Sequence, residues 1–203
     1  MIPLQLITAY LLGTIPTGLI MVRLVRGIDL RATGSGNIGA TNVVRAAGWG
    51  WGLTTLAIDA LKGALVPVWM AQAPPPHLVS WQIAAGILAL TGNVFNPFLR
   101  FKGGKGVGTA LGIMAAIAPL PAAAGFVAFL AGFLSTRIVS VGSLSAGAVF
   151  GVAALVHYFW SETRPTSLWL AFCLVVSGLV FVTHRANLRR LLAGTETRLT
   201  RQK

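Results

Sequence analysis

Five stretches of this chain contain no Asp, Glu, Lys or Arg: residues 1–22, 63–99, 106–136, 138–161 and 165–183. A membrane-spanning helix needs about 17 to 25 predominantly apolar residues. Backbone inside lipid must also satisfy its own hydrogen bonds, which leaves helices or closed barrels. Composition points the same way, with 55% hydrophobic and 10% charged residues among 203, against roughly 25% charged in a typical soluble domain. Disorder is excluded, and the reading is an all-α polytopic integral membrane protein.

Apolar length, punctuated by Pro and Gly, predicts seven helices at about 3–24, 48–71, 79–99, 104–119, 121–136, 139–160 and 165–184. The stretch 106–136 reads either as one long tilted helix or as two short ones broken at Pro119-Leu120-Pro121. Basic residues decide, because Lys and Arg concentrate in short cytoplasmic loops. With two helices, one face receives Arg23, Arg26, Arg31, Arg45, Arg100, Lys102, Lys105, Arg137, Arg185, Arg189, Arg190, Arg198, Arg201 and Lys203, which is 14 of the 16 basic residues. One helix would instead put Arg137 and the basic C-terminal tail on opposite faces. The expectation is seven transmembrane helices, N-terminus outside and C-terminus cytoplasmic. Residues 1–203 then form a single transmembrane domain that ends in a basic tail over 184–203.

Several other assignments follow. Residues 1–22 have no basic start and outrun the apolar core of a secretory signal, so they read as a retained first span. A net charge of +12 would suggest nucleic acid in a soluble protein. Here positive-inside sorting accounts for it, which makes membrane lipids partners and nucleic acid none. The single cysteine, Cys173, precludes an internal disulfide and a Cys-based metal cluster. Asp59 and Lys62, three apart in the second span, suit an intramembrane ion pair, and Gly147 and Gly151 suit close helix contact.

Chemistry concentrates in three polar segments, all assigned to the cytoplasmic face. Residues 34–45 read Gly-Ser-Gly-Asn-Ile-Gly-Ala-Thr-Asn-Val-Val-Arg. Gly34, Gly36 and Gly39 let backbone N–H groups turn inward, Ser35, Asn37, Thr41 and Asn42 add short polar side chains, and Arg45 offers a planar fork for phosphate. Lys102, Gly103, Gly104 and Lys105 lead into the fourth span, where bare helix N–H groups and the dipole attract an anion. This is no nucleotide P-loop, because Gly106 stands where Ser or Thr must follow the lysine. In the third segment, 184–196, His184 and Asn187 share a helix face and are read as ligands, while Arg185 and Arg189 suit lipid phosphates. Ser140 and Ser143, at the start of the sixth span, are expected as further phosphate contacts. The segments are expected to converge on one site for phosphorylated reactants, without metal or cofactor.

At these residues the sequence resembles the PlsY family of bacterial acyl-phosphate-dependent glycerol-3-phosphate acyltransferases. The resemblance rests on GSGNIGATNVVR at 34–45, DALKG at 59–63, FKGGKGVGTALG at 101–112, STRIVSVGS at 135–143 and HRANLRRLLAGTE at 184–196. It implies a seven-helix protein of the bacterial inner membrane that moves a fatty acyl group from acyl phosphate to the 1-hydroxyl of glycerol 3-phosphate. Phosphate and lysophosphatidic acid are released, acyl-CoA is not used, and the active site faces the cytoplasm. Ser35, Arg45, Lys105, His184 and Asn187 are then the expected catalytic residues. Two positions depart from the family's pattern. Asn93 stands where a histidine is usual and does not titrate near neutrality, and Gly108 stands where alanine is usual. A basic vestibule on several helices also suits a transporter or flippase of a phosphorylated metabolite, although such a carrier needs ligands near the bilayer midplane.

Overall fold

The computed structural model describes residues 2–72 and 77–199, and every structured segment within them is helical or a turn. Arg201 and Lys203 of the basic tail lie outside the described residues. The fold divides into two compact units, Met1–Ile117 and Ala118–Lys203.

The first unit opens with α1 (Ile2–Thr14) and α2 (Thr17–Arg26). Sequence length predicts one helix here, but Pro16 cannot donate to the ladder and the axis bends by 43°. A single turn at Leu30–Ala32 precedes α3 (Ala40–Ala47), a short helix inside the polar 34–45 segment that the apolar-length reading does not include. Arg45 therefore sits in the last turn of α3. Gly48, at φ +94°, separates α3 from α4 (Trp49–Trp69). Next come α5 (Leu78–Val94), a turn at Pro97–Leu99, and α6 (Val107–Ile117). At 11 residues, α6 is about 16 Å long, short of the roughly 30 Å hydrocarbon core.

Glycine sets the packing within this unit. A Cβ on Gly13 of α1 would lie 2.0 Å from the Ala89 carbonyl oxygen of α5, and one on Gly92 of α5 would lie 2.4 Å from that of Tyr10. The α4–α6 seam repeats the device, with Gly63 against the Thr109 carbonyl and Gly112 against that of Ala60. Small residues let helix backbones approach where lipid supplies no hydrophobic drive between helices.

The second unit contains α7 (Pro119–Thr136), α8 (Val139–Trp160), α9 (Ser167–Thr183) and α10 (Arg185–Leu192). The break expected at Pro119 is present, since α7 begins there with Pro in its first turn. The tight α7–α8 turn places Arg137 at φ +60°, its N–H donating to the Phe133 carbonyl. The Gly147 and Gly151 pair lies against α9, where Ser177 Oγ donates to the Gly147 carbonyl at 2.7 Å. Between α9 and α10 the axis bends by 55° at His184.

Among the described residues Leu78–Leu99, α7 and α8 are long and apolar enough to cross a membrane, and the two bent pairs raise that number to five if each is one span. Alongside the buried apolar residues, several polar side chains are buried and many large apolar ones are exposed. Thr14, Thr17, Thr55 and Lys62 are buried while Leu4, Leu24, Val127, Val152 and Val175 are exposed, as expected where the surrounding solvent is hydrocarbon.

Candidate anion-binding site

In the first unit the 34–45 segment is wound around one amide. Asn42, 1% exposed, donates through Nδ2 to the carbonyls of Leu30 and Thr33 at 3.1 and 3.0 Å. Its Oδ1 accepts the Ser35 N–H at 3.1 Å. Gly34 and Gly36 hold φ +54° and +69°, which L side chains rarely adopt. A Cβ on Gly34 would also fall 2.3 Å from Asn42 Oδ1. Asn37 Oδ1 accepts the Gly39 N–H at 2.9 Å just before α3. In this structure the two asparagines shape the loop, leaving Ser35 exposed, Thr41 half-buried at the start of α3, and the Arg45 stem alongside Gly34. Asp29, next to this segment, is already claimed. Hydrogen bonds from the Arg31 guanidinium and then from its backbone N–H hold the carboxyl down at about 2.

The second glycine segment lies on the C-terminal end of α5. The N–H groups of Gly103 and Gly104 donate to the Val94 and Asn93 carbonyls, both at 3.1 Å, satisfying acceptors a helix end leaves open. A Cβ on Gly103 would sit 2.1 Å from the Asn93 oxygen, and Gly106 turns at φ +73° into the first turn of α6. Asn93, where the family pattern has histidine, therefore lies under this loop, with its Oδ1 facing Gly104 and Gly106. Lys102 is exposed and Lys105 half-buried at the mouth of α6. The two glycine segments meet, because the Ile38 side chain lies 3.6 Å from the position a Gly104 Cβ would occupy.

In the second unit a carboxylate gathers the candidate residues. Glu196 Oε1 accepts from Ser140 Oγ at 2.8 Å and from Asn187 Nδ2 at 2.5 Å, and its Oε2 accepts from Arg190 Nε at 2.6 Å. Partial burial pushes the carboxyl up, but the bonds from Asn187, Arg190 and Ser140 outweigh it and hold Glu196 below the ordinary glutamate range. Ser143 is buried one turn along α8 from Ser140. His184 is 3% exposed, with Nδ1 2.8 Å from the Val180 carbonyl. A carbonyl only accepts, so Nδ1 carries the hydrogen of this contact. Leu199, whose N–H donates to the Arg137 carbonyl at 2.7 Å, holds the segment after α10 to the α7–α8 turn. Glu196 has no role in the sequence reading. The available signal was that it is one of four acids in the chain and sits within a basic tail.

Comparison with known proteins places these motifs in context. Residues 3–194 match the family model described as glycerol-3-phosphate acyltransferase. A glycerol-3-phosphate acyltransferase of Anaeromyxobacter dehalogenans is 44% identical over 193 residues, covering 94% of this chain and 93% of that protein. Its counterpart in Geobacter sulfurreducens is 46% identical over 194 residues, with coverages of 94% and 93%. Among solved structures, the integral membrane glycerol 3-phosphate acyltransferase PlsY in its glycerol 3-phosphate form superposes with a TM-score of 0.86. That chain is 35% identical, with 98% of this chain and 96% of that one covered. The same enzyme in its lysophosphatidic acid form gives 0.83 at 35% identity, covering 98% and 95%.

Proposed function

The chain belongs to the glycerol-3-phosphate acyltransferase family, and from that premise we propose that it transfers a fatty acyl group from acyl phosphate to the 1-hydroxyl of glycerol 3-phosphate. The products are 1-acyl-glycerol 3-phosphate and inorganic phosphate. The observation that supports this reading best is the meeting of two glycine segments at Ile38 and Gly104, with Arg45 beside one and Lys105 at the end of the other. The N–H groups of Ser35, Gly36, Gly39, Gly103 and Gly104 are taken by acceptors within the loops, so the guanidinium and the ammonium are the groups that receive phosphate in this reading.

An acyl phosphate is already activated, so the protein's work is to place two anions that repel one another and to offset that repulsion. The glycerol O1 forms a bond to the acyl carbon as the bond from that carbon to the phosphate oxygen breaks. The hydroxyl proton ends on the departing phosphate. Arg45 and Lys105 stabilise the phosphates, Ser35 and Asn187 orient oxygens, and His184 donates to phosphate or carries the proton. Lys102, Ser140 and Ser143 complete the phosphate contacts in this reading.

The reading also puts the protein in the bacterial inner membrane with seven spans, its N-terminus outside and its motifs on the cytoplasmic face, among membrane lipids. What supports it is that a seven-span path would collect 14 of the 16 basic residues on one face. Purified protein in detergent, given acyl phosphate and labelled glycerol 3-phosphate without CoA or added metal, is expected to yield labelled lysophosphatidic acid and one phosphate per turnover. Product from acyl-CoA alone would overturn the donor. No product from either, with glycerol 3-phosphate counterflow in liposomes, would establish a carrier instead. A stable acyl-enzyme formed with acyl phosphate alone would contradict direct transfer.

A further inference from the structure

Away from the phosphate ligands named above, α4 carries a buried charged pair. Lys62 Nζ lies 2.7 Å from Asp59 Oδ1, with the two side chains 8% and 15% exposed. The pair does not close on itself. Lys62 also donates to the Ile15 carbonyl at 2.9 Å, and Asp59 Oδ1 also accepts from Thr17 Oγ1 at 2.8 Å. Both outside partners flank Pro16, where the α1–α2 ladder is broken and backbone groups need another partner. Burying two charges in this setting costs more than apolar packing of the same volume, so the pair is a poor device for stability alone.

The anchored turn reaches both glycine segments. Thr17 is followed by Gly18, where a Cβ would lie 2.1 Å from the Ile38 carbonyl oxygen and 2.9 Å from Val43 of α3. The Ile38 side chain in turn lies 3.6 Å from where a Gly104 Cβ would stand. On its other side Asp59 carries the first turn of α6, since a Cβ on Gly108 would be 2.9 Å from the Asp59 Cβ. One carboxylate thus stands between the helix break that backs the 34–45 loop and the helix start that follows Lys105.

We propose that Asp59, held by Lys62 and bonded to Thr17, is a positioning residue that sets the spacing of the two glycine segments and so the fit of the glycerol 3-phosphate phosphate between them. The inference rests on the acyltransferase reading above. Asp59 touches no reactant in this scheme, and its effect passes through Thr17, Gly18 and Ile38 on one side and Gly108 on the other.

Replacing Asp59 would strand a buried ammonium and risk misfolding, so the test varies Thr17. Thr17→Val keeps the shape and the ion pair but removes the hydroxyl, and Thr17→Ser keeps the hydroxyl. Thr17→Val is expected to raise KM for glycerol 3-phosphate about fivefold or more, with kcat and KM for acyl phosphate within about twofold of wild type. Thr17→Ser is expected to restore the wild-type KM. An unchanged KM in Thr17→Val, or equal losses in both variants, would overturn the proposal. If wild-type protein forms no product from acyl phosphate, the reaction assignment fails by itself. Protection against thermal unfolding by inorganic phosphate then decides the positioning role, which requires weaker protection in Thr17→Val than in wild type and Thr17→Ser. Equal protection in all three would end it.

Discussion

Arg45 in the first unit and Glu196 in the second hold their neighbourhoods by different means. The Arg45 stem runs past Gly34 in the last turn of α3, and its value lies in a planar pair of donors that lysine cannot reproduce. Losing one charged hydrogen bond to phosphate costs about 1.5–3 kcal/mol, or roughly 10- to 100-fold in rate. Arg45→Lys is therefore expected to cut turnover by about that factor while leaving the melting temperature near wild type, and near-normal turnover would remove Arg45 from the phosphate site. Glu196 works differently, because Ser140, Asn187 and Arg190 all donate to it. Its carboxyl is held below the ordinary value of 4.5. A depressed carboxyl contributes stability above its unfolded pKa and loses it as pH falls through the folded one. Wild type should thus melt above Glu196→Gln by a constant margin at neutral pH, and the margin should close on acidification below about 4.5. A margin independent of pH would show that shape, and not charge, holds Asn187.

At the scale of elements, glycines divide into those the fold requires and those it tolerates. Gly103→Ala drives a methyl to 2.1 Å from the Asn93 carbonyl, so the loop must lift from α5 and lose its two backbone bonds. Activity is expected to fall at least about tenfold, with a stability loss of about 1–3 kcal/mol. Gly178→Ala, in α9 with open space around it, should instead raise stability by about 0.5–1 kcal/mol and leave activity alone. The same division explains what a reader of the sequence could see. Apolar length and charge gaps locate α7, α8 and the break at Pro119, because hydrophobic stretches and prolines are local signals. The α1–α2 bend was hidden, since Pro16 sits among apolar residues that still have the length of one span. Helix α3 was hidden too, because its eight residues lie within a run whose glycines and amides suggest a loop. The glycine motifs and the Asp59–Lys62 pair were visible from spacing. That Lys62 caps Ile15, or that Glu196 collects Ser140 and Asn187, depends on partners 47, 56 and 9 residues away, which no local pattern specifies.

For the molecule as a whole, the membrane itself supplies the remaining constraint. If lipid sorts the chain by positive charge, the turn between α8 and α9 and the segment after α10 face opposite aqueous phases. The first holds Glu162 and Arg164, the second Arg198 close behind Arg189 and Arg190. Thr163 and Ala193 are exposed in those two places, whereas the one native thiol, Cys173, is buried in α9. A thiol reagent that cannot cross lipid will therefore report single cysteines placed there, on a Cys173→Ala background. In intact cells or right-side-out vesicles Thr163→Cys should react and Ala193→Cys should not, and inverted vesicles should reverse the result. Labelling of both from the same side would require an even number of membrane crossings between residues 163 and 193. The single run of α9 could not then be one span, and the seven-span arrangement would fail at that helix.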